Sequence, residues 1–185
     1  MEKKKNRGSA VVAVIVVLAL IGLGVGLFFF FRGRKYDPGK LENGTYTNKW
    51  ARIQFTAPEG FSSKTQTQDG EKYYAFTKGS EIVMIGTTDQ DTDVDGGLDE
   101  LKQILLGANA YSSSLGIKMD IKDPTTSMIA GEKFKCVQIS MGASGTYIYV
   151  NLYARKVHGN GVIFIAVASS SPSGVDSLLY RFKRY

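Results

Sequence analysis

The chain has 185 residues, 43% of them hydrophobic and 22% charged, which suits one folded domain and excludes a disordered or collagen-like chain. With 1 Cys and 1 His it has neither a disulfide framework nor a ligand set for zinc, haem or an iron–sulfur cluster. The formal charge of +6 sits in the N-terminal segment, where Lys3, Lys4, Lys5, Arg7, Arg32, Arg34 and Lys35 face only Glu2, so the body of the chain is balanced and no nucleic-acid partner is expected.

In chain order, residues 1–9 read as a basic cytoplasmic tail and 10–31 as a transmembrane helix. Ala10 to Phe31 carry no charge, Asn or Pro, and at about 1.5 Å per residue they span the thickness of a hydrocarbon core. Phe28 to Phe31 run straight into Arg32 without an A-x-A-like site, so the segment reads as an uncleaved signal-anchor. The four Lys and Arg before the span are matched by Arg32, Arg34, Lys35 and Lys40 after it. Orientation therefore rests on the short Lys-rich tail, which is costly to translocate: N-terminus cytoplasmic, domain extracellular at the plasma membrane. Gly22 and Gly26 form a G-x-x-x-G pair that permits a helix dimer, although glycine is common in membrane helices generally.

Residues 32–44 read as a linker and 45–185 as an extracytoplasmic α+β domain. The strand patterns are Ala51 to Thr56, Lys72 to Thr77 joined to Glu81 to Thr87 through Lys78-Gly79-Ser80, a strand around Phe134, Cys136, Ile139 and Met141, Tyr147 to Arg155, and Val162 to Ala168. This predicts about six mostly antiparallel strands. Leu98, Leu101, Ile104 and Leu105 predict a helix ending near Gly107 with fraying towards Tyr111, and Leu178, Leu179 and Phe182 predict a second one from Ser173 to the C-terminus. Tyr147, Tyr149, Asn151 and Tyr153 share one face of their strand; the expectation is core under a helix, ahead of a ligand platform. The expected architecture is an antiparallel sheet flanked by helices, preceded by one transmembrane helix.

From Gly44 to Phe61 the chain reads GTYTNKWARIQFTAPEGF. Tyr46, Asn48, Trp50, Ile53, Phe55, Pro58, Gly60 and Phe61 in it resemble the opening of PsbP-like domains, where a first strand ends in a Pro-x-Gly-aromatic turn. The later layout of helix, long hairpin and final short helix is similar too. In particular the chain resembles extracytoplasmic domains of this kind that Gram-positive bacteria tether by a single helix. The resemblance implies an antiparallel sheet with flanking helices and a role like that of relatives such as a photosystem accessory subunit and a Ran-binding protein, which bind other proteins. It carries over no functional residue.

Asp91, Asp93 and Asp95 before Gly96 space carboxylates as a calcium loop does, but Lys102 stands where an EF-hand places a bidentate Glu. The plainer reading is a strand-to-helix connection whose acids favour the helix N-terminus. His158 falls in a hairpin turn with no G-x-S-x-G elsewhere, and Cys136 reads as a small buried hydrophobe. Asn43-Gly44-Thr45 matches a glycosylation sequon. No cofactor is expected, with calcium the one candidate. The functional expectation is a non-catalytic binding or accessory module for a membrane or envelope protein. The alternatives are a calcium-dependent envelope binding domain using the Asp91 to Asp95 loop, and an envelope enzyme.

Overall fold

The computed structural model describes residues 37–68, 71–88, 93–114, 117–143, 145–157 and 161–185. Twelve strands and two helices follow one another as β1 (Lys40–Glu42), β2 (Thr45–Asn48), β3 (Ile53–Thr56), β4 (Ser62–Gln68), β5 (Glu71–Lys78), β6 (Glu81–Thr88), α1 (Val94–Ser114), β7 (Lys118–Ile121), β8 (Thr125–Ile129), β9 (Glu132–Ala143), β10 (Thr146–Lys156), β11 (Val162–Ser169), α2 (Pro172–Leu179) and β12 (Phe182–Arg184). They form a small sheet in the order β1-β2-β3-β12 and a large one in the order β4-β5-β6-β11-β10-β9-β7, with β8 also paired to β9. Every strand pairing among the described residues is antiparallel.

The alternation of side chains explains how one large sheet carries two cores. Leu98, Leu101 and Leu105 of α1 cover one face, meeting Val137, Ile139, Val150 and Leu152. Each such Leu, buried from water, contributes about 1.5–3 kcal/mol. The opposite face is covered by the small sheet and α2, through Ile53, Phe55, Val175, Leu178 and Phe182 packed on Phe76, Ile85, Ile163 and Ile165. The unbroken apolar run of β11 follows, because at the centre of the sheet both its faces are buried.

Tight turns set the registers. Asn43 and Gly44 have φ of 48° and 73°, the pair of left-handed residues a two-residue hairpin needs between β1 and β2. Lys78 pairs with Glu81 across Gly79 and Ser80, as the sequence predicts. At the β8–β9 turn the left-handed position before Gly131 is filled by Ala130, φ 53°, which is strained for an L-residue with a Cβ. Replacing Ala130 with Asn, which tolerates this conformation, should therefore raise stability by about 0.5–1 kcal/mol in thermal unfolding.

Several expectations change. The described residues hold twelve strands where about six were expected, and their proportions are mainly β. Lys40–Glu42, assigned to the linker, form a strand of the small sheet. The first helix continues past Gly107 to Ser114. The second stops at Leu179 and does not reach the C-terminus: Tyr180 and Arg181 close its last turn on Asp176 and Leu178, and the chain then pairs as β12 with β3. Phe182 drives that change, its ring buried 4.7 Å from that of Phe55. No helix among the described residues is long and apolar enough to cross a membrane. The 10–31 segment, with Gly22 and Gly26, lies outside the described residues.

The described residues open at Asp37. Its carbonyl accepts from Asn48 Nδ2 at 3.0 Å and from Thr87 Oγ1 at 3.1 Å. The Tyr46 hydroxyl donates to Pro38 O at 3.2 Å, and the Tyr74 hydroxyl donates to Gly39 O at 2.7 Å. Gly39 has φ +82°, and a Cβ there would lie 2.6 Å from the Tyr46 ring. The resemblance motif thus has a local purpose in this chain: Tyr46 and Asn48 fasten the segment preceding β1.

Candidate functional site

On the face that carries the small sheet and α2, the large sheet has a polar window. Tyr149 of β10 lies opposite Ser140 of β9, which lies opposite Asp120 of β7; one step along, Asn151 lies opposite Gln138. These positions alternate with the core residues Ile139, Val150 and Leu152, so strand geometry alone presents them on the other surface. The small sheet does not cover them. α2 supplies one wall through Pro172, Val175 and Asp176, and together these residues line a groove of about 400 Å³, within the range of ligand pockets. The wall is placed by the helix start: Ser171 caps α2 by accepting from Gly174 N at 3.0 Å, with Pro172 in the first turn.

The groove's edge carries the Lys122–Asp120 ion pair at 2.8 Å, exposed on both sides. Asn151 Nδ2 donates to the Tyr153 hydroxyl at 2.8 Å, which holds the amide while its carbonyl oxygen stays available. The Tyr153 hydroxyl meets Cys136 on the same face, further along the strands in the core under the small sheet and α2, and burial pushes the Cys136 thiol up to about 12. At neutral pH that sulfur is a protonated hydrophobe, not a nucleophile. Burial likewise pushes the Tyr153 phenol up. The open surface offers two side-chain amides, two hydroxyls and the Asp176 carboxylate beside an apolar Pro172–Val175 edge. Such a set can take part in recognition through hydrogen bonds and shape.

The four-residue face of β10 is thereby divided. Tyr153 is core, 2% exposed beneath the small sheet and α2, Tyr149 is half-buried in the groove, and Tyr147 is half-exposed. Gln138 and Ser140 are missed from sequence, although their alternation with Ile139 and Met141 along β9 marks them as the polar counterpart of Tyr149 and Asn151.

The acidic stretch takes its own geometry. Asp93 Oδ1 accepts from Asp95 N at 3.1 Å and the Asp93 carbonyl accepts from Gly97 N at 2.8 Å, which caps α1. Asp95 pairs with Lys135 of β9 at 3.0 Å, and Lys102 pairs with Asp123. Asp91 and His158 lie outside the described residues, and among the described residues no group of three His, Cys, Asp or Glu is placed to hold a metal. Asn43 of the sequon is exposed in its turn.

No family profile matches the chain, and no curated protein does. Among solved structures, the chain is similar to the cyanobacterial PsbP protein CyanoP from Synechocystis sp. PCC 6803, with a TM-score of 0.50 and 11% identity over 83% of this chain and 98% of that one. A protein from Bacteroides thetaiotaomicron VPI-5482 aligns with a TM-score of 0.41 and 10% identity over 78% of this chain, which spans about half of it, 49%. On the likeness to CyanoP the chain has a PsbP-like fold.

Proposed function

We propose that this chain is a single-pass protein of a bacterial plasma membrane whose α+β body lies outside and acts as a non-catalytic binding module, offering the groove beside α2 to a protein of the same membrane or envelope. The observation that carries the binding role is the polar window. Gln138, Ser140, Tyr149 and Asn151 are gathered in one open place beside a helix, on a sheet face that is elsewhere packed under the small sheet and α2. The unbroken apolarity of Ala10 to Phe31 and the confinement of the excess charge to its flanks support the anchorage.

Two measurements test it. A Cys introduced at Lys40, exposed in β1, should react with an impermeant maleimide on whole cells; protection until lysis would put the body inside. For the groove, the full chain solubilised from its native membrane should copurify with a partner that the groove-filling variant Ser140→Trp loses by about tenfold or more, while the α1 surface variant Ile104→Ala retains it. Equal recovery by both variants would remove the groove from the function.

A further inference from the structure

The small sheet has a basic end, and Asp37 lies at it. In register, Asn48 of β2 lies opposite Ile53 of β3, which lies opposite Arg184 of β12. Lys49 and Arg52 occupy the turn beyond these residues, Lys40 lies opposite Thr47, and Tyr185 N donates to Arg52 O at 3.1 Å. Lys40, Lys49, Arg52, Arg184 and Tyr185 are all exposed. The described acid at this end is Asp37, and Glu132 farther in is engaged by Arg155, whose guanidinium also reaches the Ala51 carbonyl. The opposite end carries Glu42, Glu59 and Glu81 with Lys78 and Arg181.

Asp37, fastened to Asn48 and Thr87, lies at the basic end. Only residues 32–36 separate Phe31 from Asp37, and Arg32, Arg34 and Lys35 are among them. Fully extended, that stretch reaches about 18 Å, so an anchored body cannot turn its basic end far from the bilayer.

Resting on the anchorage proposed above, we infer that the body docks on the membrane through this end, with Lys49, Arg52, Arg184 and Tyr185 against anionic lipid headgroups. Cationic side chains this close to a negatively charged leaflet are attracted over roughly a Debye length, and an exposed Tyr suits the interface between headgroups and water. The opposite end, with Glu42, then points away from the membrane. Docking holds the body in one orientation and fixes the direction in which the groove is presented.

The full chain is reconstituted into vesicles of phosphatidylcholine alone or with about a third phosphatidylglycerol, carrying a headgroup quencher, with a fluorophore on Tyr185→Cys or Glu42→Cys. After flotation through a carbonate wash, the chain should stay with the vesicles. Quenching at position 185 should exceed that at 42 and rise by about twofold with phosphatidylglycerol, falling back in high salt. The triple variant Lys49→Gln, Arg52→Gln, Arg184→Gln should stay vesicle-bound yet lose the lipid response. Equal quenching at the two positions, or no response to phosphatidylglycerol, overturns the docking while leaving the anchor intact. A chain that fails to float overturns the anchorage and the docking with it.

Discussion

Replacing Gly86 with Ala should cost about 1–3 kcal/mol of stability, and with Val more than about 3 kcal/mol, among the largest effects of any single substitution in the large sheet. Gly86 of β6 is flanked in register by Tyr73 of β5 and Phe164 of β11. The two rings close over it with centroids 5.7 Å apart. A Cβ at position 86 would lie 2.2 Å from Phe164 Cζ and 2.9 Å from Tyr73 Cδ1, so both rings must leave their places in a packed core. The coupling is the decisive measurement. Phe164→Ala alone should cost about 3–5 kcal/mol, but because it vacates the space that the new Cβ needs, the double variant should cost clearly less than the sum of the two. Urea titration followed by the emission of Trp50, the single tryptophan, measures all three. Strict additivity, or a Gly86→Ala cost below about 0.5 kcal/mol, would show that the rings do not lie over the glycine.

The second large effect is expected at Asn48. The side chain is fully buried and makes three bonds: Oδ1 accepts from Ala51 N at 2.7 Å, and Nδ2 donates to Asp37 O and to the Tyr46 hydroxyl, each at 3.0 Å. Asn48→Ala removes them together and leaves the Ala51 N–H buried without its acceptor, a loss of about 2–4 kcal/mol. Because Asp37 is one of its partners, the substitution should also loosen the segment where the chain joins the body. Limited proteolysis near Lys40 should therefore accelerate under conditions where the rest of the fold stays intact. An exposed substitution in the same sheet, Thr56→Ala, should stay within about 0.5 kcal/mol of the parent. If Asn48→Ala does no worse, the buried amide does not organise this corner.

The elements legible in the sequence are those whose burial has a single rhythm. β5 and β6 show apolar runs around a two-residue turn, and the face of β10 formed by Ile148, Val150 and Leu152 packs towards α1. β4 reads SSKTQTQ and buries nothing described. It is a strand because β5 holds it in register from Ser62 to Gln68, which is tertiary information that local pattern does not carry. β12 was masked for the opposite reason. Leu178, Leu179 and Phe182 have helical spacing, yet Phe182 is buried against Phe55 from a strand. In the groove, Tyr149 and Asn151 could be named from their alternation. Tyr153, on the same face, becomes core because the small sheet and α2 bury it fully, while Tyr149, packed against the same layer, stays half-buried at the groove. Where one layer ends over another is decided by the packing of distant segments, here residues 53–55 and 175–182, and no window of the sequence contains both.

The order of strands also governs when the body can take shape. β6, residues 81–88, finds its partner β11 only at 162–169, and β3, at 53–56, waits for β12 at 182–184. Such distant pairings place folding in the millisecond-to-second range once the chain is complete. During synthesis, at about 5–20 residues per second, the early meander β4-β5-β6 exists for several seconds with one side of β6 unpaired. Val83 and Ile85 then lack the part of their cover that α2 and β12 provide, and the nascent chain passes through an interval in which it is most prone to aggregate or to need a chaperone.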